Sequence, residues 1–347
     1  FFIMSDKIKE QDIKFMKSAI KEAEKGIGCT SPNPSVGCVI VKKGKIIGRG
    51  YHRGAGGPHA EIEAIKNAKK TPISGSTIYI TLEPCSTHGK TPPCSNAIIE
   101  GGFKRVVFGI NDPDPRHQGN SMQILRKQGI DVTTGVLSES CRRIIRPFTK
   151  RILTGLPWVL VKAGMSLDGR LTRPGDEGQW ITNEHAIKDT QNLRAEVDAI
   201  IIGSETLRKD DPRLTIREAK LLRRRKNQPK RVVLTRTGKL PKSAKIFTDE
   251  FRENTIVYTN RSLNAVLKNL ADKHQCNSVM IEGGGKLIGN AIKRKLVDEA
   301  CLYFAPLICG QKCTPFADVK LSESCGLSEI KFKALGDNFR IRGTINS

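Results

Sequence analysis

The feature that most constrains this chain is a spaced set of ligand-type residues: His59-Ala60-Glu61, then Pro84-Cys85, then Pro93-Cys94. It offers one imidazole, two thiolates and one carboxylate that is not needed as a ligand. Zinc is borderline-soft and takes N and S donors, and three protein ligands leave its fourth position for water. Bound zinc lowers the pKa of that water to about 7. Glu61, on the first helical turn after His59, is placed to move the proton that the water loses. A fold that uses this set must bring two helix starts and one strand end to a single point. The competing reading is a closed structural site with His88 as fourth ligand.

His-x-Glu followed by Pro-Cys is the signature of the zinc deaminases of nucleobases. That pattern has two residues between the cysteines, whereas eight separate Cys85 from Cys94 here. His52, in the loop before the ligand helix, reads as a substrate contact. The other eight cysteines (Cys29, Cys38, Cys141, Cys276, Cys301, Cys309, Cys313 and Cys325) lack regular spacing and read as packing thiols in a reducing cytoplasm.

At 347 residues the chain has room for two domains. Helical spacing spans residues 11–26 and 59–69, with a shorter helix over 96–100. Strand patterns cover 36–41, 46–51, 77–82 and 105–110, the first two joined by a hairpin turn at Lys42-Lys43-Gly44-Lys45. Strands alternating with helices predict a mixed α/β sheet between helices. Near Gly155-Leu156-Pro157 a second α/β module begins, with strands at 158–162, 199–203, 231–235, 254–258, 278–282 and 299–304. No apolar run reaches the ~18 residues of a membrane span. No apolar core follows Phe1-Phe2-Ile3-Met4, so no secretory signal is expected, and Met4 reads as a natural start.

Lys and Arg exceed Asp and Glu by 59 to 35, a formal charge of +24. This suits a nucleic-acid partner or phosphorylated substrates. Aromatic residues, at 5%, are thin for base stacking. The densest basic run, residues 222–231, reads as a solvated loop. In the second module Glu282-Gly283-Gly284-Gly285-Lys286-Leu287-Ile288-Gly289-Asn290 follows a strand and opens a helix, where backbone amides can receive a phosphate. The same glycines also suit a plain turn. Ser166-Leu167-Asp168-Gly169-Arg170 and Asp210-Asp211-Pro212 are polar loops that read first as turns and caps. Arg194, Arg213 and Arg217 can clamp a phosphate bidentately or form surface ion pairs.

Taken together, these residues resemble the RibD family of bifunctional riboflavin-biosynthesis enzymes, in which a pyrimidine deaminase is joined to a uracil reductase. The matching stretches include Pro32-Asn33-Pro34-Ser35-Val36-Gly37, Gly57-Pro58-His59-Ala60-Glu61 and Thr81-Leu82-Glu83-Pro84-Cys85 through Pro93-Cys94. In the second half they are Ser166–Arg170, Trp180-Ile181-Thr182, Leu193-Arg194-Ala195, Asp210-Asp211-Pro212 and Glu282-Gly283-Gly284. The eight-residue cysteine spacing is this family's own form of the motif.

The resemblance implies a cytidine-deaminase-like three-layer α/β/α domain over residues 1–154 and a dihydrofolate-reductase-like α/β domain over 155–347. It implies Zn2+ and NADPH, a small phosphorylated pyrimidine as substrate, and no membrane or nucleic-acid partner. The first step would be hydrolytic loss of the 2-amino group of 2,5-diamino-6-ribosylamino-4(3H)-pyrimidinone 5′-phosphate. The second would be reduction of its ribosyl group to ribityl. By the family pattern His59, Cys85 and Cys94 hold the metal, Glu61 is catalytic, and Asn33 and His52 touch the deaminase substrate. Arg194, Leu214, Arg217 and Glu282 meet the reductase substrate. Gly164, Trp180, Thr206, Asp210, Gly284, Gly285, Lys286, Leu287, Ile288, Gly289 and Asn290 line NADPH. A cytoplasmic homo-oligomer, dimer or tetramer, is expected.

Two positions depart from the family pattern. Gly178 stands where members carry Ser, and Thr235-Arg236 stands where they carry Asp-Ser. Arg236 either pairs with the 2′-phosphate of NADPH or marks a weakened reductase. Two rivals stand beside the bifunctional reading. The departures motivate a deaminase whose second half is only a scaffold; the net charge motivates an RNA-base deaminase with a basic platform.

Overall fold

The computed structural model describes residues 10–68, 71–87, 92–175, 177, 180–225 and 227–346. The expectations about Met4, His88, Gly178 and Lys226 lie outside these residues. Internal contacts divide the chain into two compact units between Thr154 and Gly155. Among the described residues no helix is long and apolar enough to cross a membrane.

In the first unit the elements run α1 (Glu10–Glu24), β1 (Gly37–Lys42), β2 (Lys45–Tyr51), α2 (Ala60–Asn67), β3 (Thr77–Leu82), α3 (Cys94–Glu100), β4 (Arg105–Ile110), α4 (Asn120–Lys127), β5 (Asp131–Thr134) and α5 (Ser138–Thr154). The hairpin between β1 and β2 turns through Lys43 (φ 48°) and Gly44 (φ 71°), the paired positive φ of a tight two-residue loop. The sheet order is β2-β1-β3-β4-β5, with the β2-β1-β3 pairs antiparallel and the rest parallel. Period-2 alternation sorts each strand between two cores. Cys38, Ile40, Ile78, Ile80, Val106 and Phe108 pack under α2, α3 and α4. Val39, Val41, Tyr79 and Val107 face α1 and α5. This is the expected three-layer α/β/α arrangement. Buried Asp12 of α1 ties the layers together: it accepts two hydrogen bonds from Arg105 (2.8 and 3.0 Å) and one from the Tyr79 hydroxyl (2.8 Å).

The second unit contains β6 (Trp158–Ser166), α6 (Glu184–Glu196), β7 (Ala199–Gly203), α7 (Ser204–Asp210), α8 (Ala219–Arg225), β8 (Lys230–Thr235), α9 (Lys245–Thr248), β9 (Thr255–Thr259), α10 (Leu263–Asp272), β10 (Ser278–Ile281), α11 (Gly285–Lys293), β11 (Glu299–Ala305), β12 (Gly326–Leu335) and β13 (Asn338–Asn346). The sheet order is β12-β13-β11-β6-β10-β7-β8-β9. From β11 to β9 neighbouring strands are parallel, and β12-β13-β11 is antiparallel. One face of the sheet buries Val159, Val161, Ile201 and Ile281 under α10 and α11. The other buries Leu160, Ile200, Ile202 and Met280 under α6, α7 and α9.

The structure corrects the solvated loop expected at residues 222–231. Ala219–Arg225 is α8, and two of the run's arginines are buried. Arg225 donates to the carbonyls of Arg194, Ala195 and Val197 (3.2, 3.1 and 2.5 Å). It therefore satisfies the orphan acceptors at the end of α6, where a cation is also favoured by the helix dipole. Arg231 is fully buried and pairs with Asp249 (2.7 and 2.9 Å) while donating to the carbonyls of Arg213 and Ile246. A basic run contains such residues because burial is decided by strand alternation and cap geometry, not by local composition.

Candidate active site

In the first unit the ligand-type residues converge. His59 is the N-cap of α2, Cys85 follows β3, and Cys94 is the first residue of α3. The Nδ1 of His59 lies 3.5 Å from Cys85 Sγ and 3.3 Å from Cys94 Sγ. All three ligand atoms lie within 4.8 Å of one another. A tetrahedral zinc at 2.0–2.3 Å from such donors holds them about 3.3–3.8 Å apart, so the donor set fits that ion in chemistry and spacing. The backbone amide of Cys94 donates to Cys85 Sγ at 3.2 Å. The Cys94 thiol also donates to Cys85, whose pKa is held down to about 4 while that of Cys94 is pushed up.

Glu61 is buried in the first turn of α2. Burial first, and then the negative Cys85, raise its pKa above the ordinary carboxylate range. The backbone of α2 packs directly on β2, because Gly48 and Gly50 carry no side chain. A Cβ at Gly50 would sit 2.3 Å from the Ala60 carbonyl and one at Gly48 2.4 Å from that of Ala64. Those glycines set the depth of the helix that presents His59 and Glu61.

Asn33 and His52 come together as expected. Asn33 Nδ2 lies 3.0 Å from His52 Nε2, and His52 Nδ1 lies 3.0 Å from the Pro58 carbonyl. This network assigns the proton to Nδ1, with Nε2 accepting from Asn33. Burial lowers the pKa of His52, which keeps the ring neutral. Its ring meets that of His59 edge-on, with centroids 5.3 Å apart.

One residue of the motif has a role that sequence reasoning missed. The Glu83 carboxylate is buried and accepts from the amides of Asp112 (3.1 Å), Gly119 (2.9 Å) and Ser121 (3.1 Å) and from the Ser121 hydroxyl (2.9 Å). It fixes the 112–121 segment to the strand end that presents Cys85. Its only sequence signal is its position next to Pro84-Cys85.

In the second unit a cavity of about 1560 Å3 opens at the carboxyl ends of the parallel strands. Open α/β sheets place their ligands there, and the volume exceeds the ~300–1,000 Å3 of a single small-molecule pocket. Gly164, Trp180, Thr206, Asp210, Gly284, Gly285, Lys286, Leu287 and Asn290 line it, as do Arg194, Leu214, Arg217 and Glu282. Two of the expected residues do not. Ile288 is fully buried in the apolar core, and Gly289 packs against Val319, because this face of α11 turns away from the cavity.

The cavity keeps room along its backbone. Gly203 (φ −86°) and Gly284 (φ −75°) have conformations open to any residue. A Cβ at Gly203 would meet nothing within 4 Å, and one at Gly284 only Thr206 Oγ1 at 3.8 Å. Neither glycine is needed for its dihedrals or for protein packing; both leave the wall bare for a ligand. That fits an extended cofactor lying along the α7 and α11 starts.

Arg194 is not free to clamp a phosphate. It donates to both oxygens of Glu282 (2.9 and 3.0 Å) and to the Thr215 carbonyl (3.0 Å). Desolvation works against the charge of Glu282, but Arg194 and Lys162 hold its pKa below the ordinary range. Lys162, on β6, is a cavity residue that sequence reasoning missed; burial lowers its pKa while Glu282 raises it. A lysine inside a strand carries no motif, so only the fold reveals it. Arg213 and Arg217 line the same cavity. The polar turns are structural: Asp211 accepts from the Lys245 amide (2.8 Å), and Asp168 from the amides of Cys309 and Gly310 (3.0 and 2.8 Å).

Comparison with known proteins agrees with both halves. Residues 9–110 match the cytidine and deoxycytidylate deaminase zinc-binding region, and residues 157–339 match the RibD C-terminal domain. The riboflavin biosynthesis protein RibD of Escherichia coli is 37% identical, with 94% of this chain and 96% of that protein covered. The Aquifex aeolicus RibD is 35% identical, covering 96% and 98%. Among solved structures, Acinetobacter baumannii RibD superposes with a TM-score of 0.88 at 34% identity, covering 97% of this chain and 99% of that one. A deaminase/reductase from Thermotoga maritima gives a TM-score of 0.84 at 32% identity, covering 96% and 98%. With both units matched along nearly their whole length, this chain belongs to the RibD family of riboflavin biosynthesis proteins, bifunctional enzymes that join a deaminase to a reductase.

Proposed function

We propose that the chain carries out two consecutive steps on one phosphorylated pyrimidine. The first is hydrolytic deamination of 2,5-diamino-6-ribosylamino-4(3H)-pyrimidinone 5′-phosphate, and the second is reduction of the ribosyl group of the product by NADPH. The Thermotoga relative is described as a diaminohydroxyphosphoribosylaminopyrimidine deaminase and 5-amino-6-(5-phosphoribosylamino)uracil reductase. The observation that carries the reading is the meeting of His59, Cys85 and Cys94 beside buried Glu61, in a chain with a second, separate cavity for a long ligand.

For the first step His59 Nδ1 and the sulfurs of Cys85 and Cys94 would hold zinc. When bound, zinc supplies the Lewis acidity that makes water a nucleophile at neutral pH. Glu61 takes the proton from the attacking water, gives it to a ring nitrogen, and then helps ammonia leave. Its burial strengthens it as a base, because a raised pKa increases proton affinity. Asn33 and neutral His52 orient the ring by hydrogen bonds from the loop beside His59.

For the second step NADPH supplies, when bound, the hydride that turns ribosyl into ribityl. Gly203, Gly284 and the start of α11 keep its path clear. Arg213 and Arg217 bind the substrate phosphate, and Glu282, held ionised by Arg194 and Lys162, meets the sugar and base. The basic platform of an RNA deaminase is opposed by the match of residues 157–339 to the RibD C-terminal domain and by the low aromatic content. Free cysteines, five of them buried outside the ligand set, support a reducing cytoplasm.

The test is an assay with the diaminopyrimidinone phosphate that follows ammonia and NADPH together. Both should be consumed or released in equal amounts. Ammonia release without NADPH oxidation would leave the second unit a scaffold.

A further inference from the structure

Residues 211–218 run between α7 and α8 and bring Arg213 and Arg217 to the wall of the second unit's cavity, yet they form no helix or strand. Asp211 (φ 38°) and Leu214 (φ 53°) adopt left-handed backbone. For a leucine that conformation is costly and persists only where the surroundings fix it. Side chains from other elements supply that hold. Arg231 donates to the Arg213 carbonyl (3.1 Å) and Arg194 to the Thr215 carbonyl (3.0 Å). Gln228 accepts from the Ile216 amide (2.7 Å) and donates to its carbonyl (2.9 Å). Gln191 accepts from the Arg217 amide (2.7 Å). Leu214, Thr215 and Ile216 are thereby buried, and Arg213 and Arg217 are left exposed on either side of them.

Gln191 differs from the other three supports. Arg231 and Gln228 stand behind the segment, away from the cavity, whereas Gln191 and Arg194 line it. Arg194 is already spent on Glu282 and Thr215. Gln191 lies three residues before Arg194 on the same face of α6 and is only 4% exposed. The Arg217 amide can only donate, which fixes the orientation of the Gln191 amide group. Its Nε2 carries two donors, and among the described residues it meets no acceptor. A covered amide donor without a partner is costly, so an acceptor from a ligand is favoured there. Both oxygens of Glu282 accept from Arg194, and Lys162 and Arg217 add positive charge nearby. The acceptor that suits this wall is an anion with several lone pairs.

We infer, on the reading of this cavity as the site of a phosphorylated substrate, that Gln191 is a further residue of the phosphate site: its carbonyl oxygen sets Arg217, and its Nε2 donates to the substrate phosphate. One side chain thus couples the backbone of the clamp to the anion that the clamp holds.

Steady-state NADPH oxidation by the full chain with the deaminated uracil phosphate tests this, with inorganic phosphate as competitive inhibitor. Gln191→Met should raise KM roughly tenfold with kcat within about twofold, since it removes binding and not chemistry. The inhibition constant of inorganic phosphate should rise in parallel. In an Arg217→Ser background, Gln191→Met should still raise KM about threefold. Gln191→Glu keeps the shape and still accepts from the Arg217 amide, but it sets a negative oxygen against the phosphate and should raise KM at least as far as Gln191→Met. A parental KM in Gln191→Glu, or no further effect of Gln191→Met without Arg217, would reduce Gln191 to a support of the loop and overturn the contact. A raised KM with unchanged inhibition by phosphate would overturn the choice of phosphate as its partner. Failure of wild type to oxidise NADPH with this compound would overturn the reading of the cavity, and the role of Gln191 with it.

Discussion

The two units solve opposite problems of site construction. The first concentrates its chemistry: three ligand atoms within 4.8 Å, a buried glutamate two residues from the histidine, and a neutral histidine stacked edge-on against the ligand ring. The second spreads its chemistry along a cavity of about 1560 Å3, using residues from strand ends and helix starts between positions 162 and 318. A metal demands a few donors at fixed distance, so its site is written in short motifs. A long cofactor and its substrate demand room and distributed charge, so their site is written mostly as glycines and strand order.

That contrast sets what mutations should do. The largest effect is expected in the concentrated site. Glu61→Gln should keep its metal yet lose ammonia release by about 10²–10⁴-fold, the usual worth of a positioned acid–base group. Metal analysis and an ammonia assay on the same sample check both halves. Retained activity would remove Glu61 from its role and leave the contrast without its sharper member.

Next comes the buried pair that supports the spread site. Arg231→Met leaves the largely covered Asp249 carboxylate without its partner, which should cost about 3 kcal/mol. In the parent, burial works against the Asp249 charge, but Arg231 holds its pKa below the ordinary range. A depressed carboxyl stabilises the fold above its unfolded pKa of about 3.9, and that contribution is lost as pH falls through the folded value. Denaturant titrations should therefore show the gap between variant and parent narrowing on acidification. A gap that is constant with pH would separate the destabilisation from the ion pair.

Glu83→Ala should destabilise the first unit by about 3 kcal/mol, since it leaves four donors without their charged acceptor. Glu83→Gln should recover part of that, as its amide oxygen still accepts. Equal loss in both variants would mean that volume, not hydrogen bonding, fixes the 112–121 segment. The smallest effect is expected at Gly284→Ala. Its Cβ meets only Thr206 Oγ1 at 3.8 Å, so the melting temperature should hold. Affinity for NADP+ should fall about tenfold, or about 1.4 kcal/mol, from overlap with the ligand. Unchanged affinity would show that the bare wall at Gly284 is not part of the cofactor path.

The same contrast explains what was legible in the sequence. His59, Glu61, Cys85 and Cys94 could be read from spacing, and β3 was predicted at its observed bounds because Thr77–Leu82 is a short apolar run between turns. Lys162 was not legible, since a lysine in a strand looks like solvent-facing alternation until the sheet is assembled around it. Arg225 and Arg231 were misread for the converse reason: six basic residues in ten suggest solvent, while a helix C-terminus and an Asp249 partner make two of them internal. The family pattern extends the cofactor role across the whole 284–290 stretch, Ile288 and Gly289 included, but α11 begins at Gly285 and its 3.6-residue turn rotates those two inward. The C-terminal hairpin of β12 and β13 lies outside the sequence reading, although Ile330-Lys331-Phe332-Lys333-Ala334 and Phe339-Arg340-Ile341-Arg342 alternate apolar and basic residues with the period of a strand.

The central claim is that one chain carries two separable sites acting in order on one substrate. The most direct measurement follows ammonia and NADPH together in Glu61→Gln, supplied first with the diaminopyrimidinone phosphate and then with its deaminated uracil product. The account predicts neither ammonia release nor NADPH oxidation with the first compound and normal NADPH oxidation with the second. NADPH oxidation at the parental rate with the first compound, or none with the second, would contradict it.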